Sequence, residues 1–172
     1  VRHHKRMALL ISIPILAGLG MIQSAVISKV PLLLGTTDLV LVALVAWALQ
    51  EKVKQPWQWS LIGGVIMTIL SGLPIGVYLV AYLGAVFIAA FIRRRIWKVP
   101  FLGMLTAIFI GTMLSQVISW LSRWFTGVLI PIDQALVFVM LPSILLNLLV
   151  AVPAYFMLKD LATRLYPEEI EA

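Results

Sequence analysis

The sequence predicts an all-α membrane protein, a compact bundle of six transmembrane helices with both termini in the cytoplasm. Three observations predict it. Hydrophobic residues make up 62% of the 172, mean hydropathy is +1.08 and charged residues are only 12%, against roughly 25% in a soluble domain. A soluble core of this size cannot hide that much apolar surface, so residues 1–172 read as a single transmembrane domain. The apolar residues fall into six runs, about 7–27, 38–50, 57–71, 75–92, 100–122 and 134–158. With both ends inside, these runs leave only Lys29 and Arg123 outside and put the other eleven of thirteen Lys and Arg in the cytoplasm, as the positive-inside rule requires.

The first run follows Arg2, Lys5 and Arg6 and reads as an uncleaved span, since it is near the ~20 residues a span needs and no small-x-small cleavage site follows. Pro14 predicts a mild kink. Gly20, Ser24 and Ser28 form a small-residue stripe for internal packing or partner docking. The connection around Val30-Pro31-Leu32-Leu33-Leu34-Gly35 is apolar, and the second run is short. Either residues 31–37 pack inside protein at membrane depth, or the bilayer thins locally. Thr36, Thr37 and Asp38 suit a helix N-terminus, where a carboxylate meets unpaired N–H groups. Asp38 is thus a cap or a partner contact.

Trp47, Trp57 and Trp59 flank the basic loop 50–56 and read as an interfacial belt. The third run carries Gly63, Gly64, Thr68 and Ser71, residues suited to close packing and hydrogen bonds. Ser71-Gly72-Leu73-Pro74-Ile75-Gly76 turns the chain into the fourth run, which Arg93, Arg94, Arg95 and Lys98 close. That cluster marks topology, or meets lipid headgroups or a cytoplasmic partner.

The fifth run is polar in its second half, where Thr112, Ser115, Gln116 and Ser119 share one face. That seam is either buried and hydrogen-bonded or part of a ligand site. Residues 126–133 read as a loop ending at Asp133. In the last run Pro153 predicts a bend, and Asn147 in hydrocarbon needs a partner.

Little chemistry is on offer. His3 and His4 lie in the N-terminal tail, Cys is absent, and no span has a charged residue near its middle. No catalytic set, metal site or cofactor is expected. The net charge of +6 falls at helix ends, which favours anionic lipid over nucleic acid as the partner.

The order and spacing of several segments resemble the MreD family of rod-shape-determining membrane proteins over nearly the whole chain. The matching pieces are Leu39-Val40-Leu41-Val42-Ala43-Leu44 and Gly64 to Gly76, followed by Tyr78 and Tyr82. The arginine cluster and Pro142-Ser143-Ile144-Leu145-Leu146-Asn147 match as well. Family members often carry an acid where this chain has Thr68, so no role of that acid transfers. The resemblance implies a non-enzymatic scaffold of the bacterial inner membrane. Its implied partners are a bitopic MreC-like protein and, through it, RodA, a class B penicillin-binding protein and MreB, with self-association left open. It further implies that the outer loops around Asp38 and Asp133 hold the partner. MreD-like proteins are similar in architecture to the substrate-binding subunits of energy-coupling-factor vitamin transporters. That rival reading makes the polar seam and Asn147 the wall of a vitamin pocket.

Overall fold

The computed structural model describes residues 2–25, 29, 32–74, 76–95 and 100–167, with side chains from Met7 onward. The described chain is helical throughout its core. Its elements are α1 (Arg2–Ala25), α2 (Leu39–Ala48), α3 (Trp57–Leu70), α4 (Val77–Arg95), α5 (Pro100–Phe125), α6 (Ile132–Ala135) and α7 (Leu141–Leu165). A π-helical turn, Leu136–Met140, joins α6 to α7 without a break. Four helical stretches are long and apolar enough to cross a membrane: Met7–Ala25, Val77–Arg95, Pro100–Phe125 and Ile132–Leu165. Helices α2 and α3 are shorter.

The shortest of the main helices is the centre. Residues Val40 to Ala48 are all buried, and α2 touches α1, α3, α4, α5 and α7. A helix apolar on every side needs apolar surroundings on every side, and here other helices supply them. Small residues let those neighbours close in. A Cβ on Gly111 would lie 3.2 Å from the Ala85 side chain, and one on Gly64 would lie 3.0 Å from the Leu79 backbone. Around α2, the seams α1–α3, α3–α4, α4–α5 and α5–α7 are well packed, whereas α7 and α1 barely touch. An apolar groove of about 610 Å³ lies along that open seam, with Val42 and Ala43 of α2 in its lining.

The tryptophan belt needs correcting. Trp47 and Trp59 are 1% and 2% exposed, and their rings stack at 4.1 Å. They belong to the core, and Trp57 alone of the three is exposed. The loop expected over 126–133 is also shorter, because helix begins at Ile132 and Asp133 lies exposed in its first turn. The last helix runs on to Leu165, beyond the expected end at 158.

The two ends of the bundle differ. The α2–α3 connection, the end of α4, the start of α5 and the end of α7 meet at one end, which carries Lys52, Lys54, Arg93, Arg94, Arg95, Lys159 and Arg164. Arginines in the last turn of α4 also complement its dipole. At the opposite end the described cations are Lys29 and Arg123.

Candidate functional site

At the end opposite the arginine cluster, the chain entering α2 is fastened along α7. A turn closes Leu32 on Gly35 through reciprocal backbone bonds of 3.0 and 2.9 Å, with Leu33 in the left-handed region at φ 56°. From there alternate amides donate to the π-helical turn and α7. The Leu34 N–H bonds the Phe138 carbonyl at 3.0 Å, the Thr36 N–H bonds Ser143 Oγ at 3.2 Å, and the Asp38 N–H bonds Asn147 Oδ1 at 2.8 Å.

The spacing explains the fit. Two extended residues advance ~6.6 Å, and four helical residues, as from Ser143 to Asn147, advance ~6 Å. Pro142 explains the first rung. It has no N–H for the carbonyl four residues back, and that carbonyl is Phe138's, left free for Leu34 within the π-helical turn. Gly35 permits the approach, since a Cβ there would lie 2.7 Å from both the Ser143 nitrogen and the Val139 oxygen.

Asp38 and Asn147 form the node of this latch. Asp38 caps α2 by accepting the Leu41 N–H at 2.9 Å, and the Tyr82 hydroxyl donates between its two oxygens at 2.9 and 3.0 Å. Gln23 on α1 accepts the next amide, Val40 N–H, at 3.2 Å. The Asn147 amide nitrogen donates to Thr112 Oγ1 at 3.0 Å. Asn147 is fully buried, so it ties the start of α2 to α5 and α7 where water cannot compete.

Beside the latch lies a cavity of about 420 Å³, within the range of small-molecule sites. Asp38 and Thr36 line it from the latch, Ser115, Gln116, Ser119 and Arg123 from α5, and Gln23 and Tyr78 from α1 and α4. Thr112, the fourth member of the predicted seam, is buried and bonded to Asn147 rather than lining the cavity. The seam therefore divides into one structural residue and three that face open space. Hydroxyls, amides and one charge of each sign equip the cavity to hold a polar solute by hydrogen bonds.

The remaining predicted residues are dispersed. Thr68 donates back to its own helix at the Gly64 carbonyl, 2.7 Å away, and Ser71 Oγ accepts the Leu73 N–H at 3.4 Å in the turn. Asp133 is exposed and apart from the cavity lining. Arg93 donates from Nη1 to the Gln50 carbonyl and, at 3.0 Å, to the Val53 carbonyl, which fastens the α2–α3 connection. Arg94 and Arg95 are exposed, and Lys98 lies outside the described residues. Sequence reading missed Gln23 and gave Tyr82 and Ser143 no role. An amide inside the apolar run 7–27 is the signal that could have found Gln23.

The chain matches no protein-family model, no curated protein and no solved structure.

Proposed function

We propose that this chain is a non-enzymatic membrane scaffold of the bacterial cell-elongation machinery, an MreD-like protein that binds a bitopic MreC-like partner. In this reading it crosses the inner membrane six times with both termini in the cytoplasm, and helps couple MreB filaments to peptidoglycan synthesis by RodA and its transpeptidase. The observation that carries the reading is the two-ended build around the latch. The cation-rich end suits the cytoplasmic surface. The other end is fastened by polar bonds yet presents Leu32, Leu33, Leu34 and Leu129 exposed. A firmly held apolar end is a docking surface whose ordering cost is already met by the fold. Exposed Asp133 stands at that end for a partner contact. Asp38 instead holds the surface in shape, because its carboxylate is engaged by Leu41 and Tyr82.

Affinity purification in mild detergent, with mass spectrometry of the copurifying proteins, tests the reading. Recovery of a single-span protein with an outer coiled coil is the expected result. Recovery of a transporter coupling subunit with its ATPases would replace the scaffold by a vitamin-binding subunit. The 420 Å³ cavity is what favours that second reading. Binding of a small vitamin at submicromolar affinity would also decide for it.

A further inference from the structure

The end of the bundle with the arginine cluster holds a second polar cavity, of about 260 Å³. Residues 49–52 wall it on one side, and Arg93 closes it from the end of α4. Pro100 and Gly103 bound it from α5, and Tyr155, Lys159 and Thr163 from α7. The last three are spaced four apart, so α7 turns one continuous face toward the cavity. Its adjacent face takes Asp160 and Arg164 away from it, paired with each other at 2.9 Å.

The lining brings three cations, Lys52, Arg93 and Lys159, against one carboxylate, Glu51. Arg93 is held in place by Nη1, which bonds the Gln50 and Val53 carbonyls. Among the described residues Arg93 bonds through Nη1 alone, and a guanidinium already fixed gives up little entropy in binding a further acceptor. The Tyr155 hydroxyl adds a neutral donor, while the Thr163 hydroxyl is spent on the Lys159 carbonyl. A compact cavity with a fixed guanidinium, the Lys159 ammonium, the Tyr155 hydroxyl and more cations than carboxylates in its lining matches a tetrahedral, multiply accepting anion of charge −1 to −2.

We propose that this cavity binds a phosphate group through Arg93 and Lys159. The group is carried either by an anionic lipid headgroup or by a soluble phosphate compound. The site does not depend on the scaffold reading, since partner recovery plays no part in its test.

The experiment compares wild type, Lys159→Ala, Lys159→Arg and Arg164→Ala in nanodiscs of phosphatidylglycerol or phosphatidylcholine, with retained lipid counted by native mass spectrometry. Lys159 is exposed, and the Thr163 hydroxyl uses its backbone carbonyl, which a substitution of the side chain leaves in place. Arg164 lies one turn further on the same helix, outside the cavity, and serves as a charge-matched control. Loss of one cation should lower phosphatidylglycerol retention about fivefold in Lys159→Ala. Lys159→Arg should restore it, and Arg164→Ala should stay within about twofold of wild type. Inorganic phosphate titrated into the detergent-solubilised protein separates the sources. Protection against thermal unfolding that Lys159→Ala abolishes assigns a soluble phosphate, whereas retention of phosphatidylglycerol alone assigns a lipid. Equal losses in Lys159→Ala and Arg164→Ala would overturn the site in favour of diffuse charge. Equal retention of the two lipids with no response to phosphate would overturn it as well.

Discussion

Asn147 shows what one polar residue does in an apolar bundle. Interhelical hydrogen bonds inside membranes average roughly 0.6 kcal/mol, because the unfolded chain finds other partners there. Asn147 exceeds that average because one of its bonds satisfies a backbone amide, that of Asp38, and an orphaned N–H costs about 1–3 kcal/mol. Asn147→Leu should therefore destabilise the protein by about 2 kcal/mol in reversible unfolding from detergent. Adding Thr112→Val should recover only part of this, since the Asp38 N–H stays unpaired. Tyr82→Phe should cost ~1–2 kcal/mol by the same measurement, because the hydroxyl it removes donates to a carboxylate. Stability equal to wild type in Asn147→Leu would mean that the Asp38 amide finds another acceptor. The need of Asn147 for a partner was legible in the sequence, because an amide in hydrocarbon is expensive. Its partner was not, since Asp38 and Asn147 are 109 residues apart and no periodicity reports a contact of that kind. Asp38 as a cap was legible for the opposite reason, because capping is settled within three residues.

At the scale of elements, the segment before α2 and the π-helical turn before α7 explain each other. Sequence alone offered two ways to accommodate the short second run; residues 34, 36 and 38 are bonded to the π-helical turn and α7, yet Leu32, Leu33 and Leu34 stay exposed rather than packed inside protein. Pro142→Ala would supply an N–H that competes for the Phe138 carbonyl. We expect the π-helical turn to tighten toward α-helix and amide exchange at Leu34 to quicken, with α7 otherwise intact. Unchanged exchange at Leu34 would show that Pro142 does not set this rung. Gly35→Ala attacks the latch from the other side. Its Cβ meets backbone atoms of the π-helical turn and α7 at 2.7 Å, so the cost should be about 1–3 kcal/mol, as for overpacking in a tight core. The misplaced tryptophan belt belongs at this scale too. Trp47 and Trp59 border a loop in sequence, as belt residues do. An apolar helix enclosed by other helices, however, has the same composition as one facing lipid, so hydropathy could not show that α2 is the central helix.

For the whole molecule, charge is the most legible feature. Among the described residues, the cations at the ends of α4 and α7 and in the α2–α3 connection gather at one end of the bundle, with Lys29 and Arg123 at the other. The sequence did not show how the helices close around α2, or that the α1–α7 seam stays open. Contacts between distant helices decide both. The cavity beside the latch was only half visible, because Ser115, Gln116 and Ser119 announced a polar face while Gln23, Asp38 and Tyr78 arrive from elsewhere in the chain. The proposed scaffold role rests on the latched end meeting a partner, and photocrosslinking in cells reads that contact directly. A photoreactive residue would replace Leu33 or Asp133 at that end, with Leu149 on an exposed face of α7 as the comparison. Positions 33 and 133 should capture a single-span protein with an outer coiled coil, and position 149 should capture it less. Crosslinks from 33 and 133 to lipid alone, or to a transporter coupling subunit, would contradict the scaffold role.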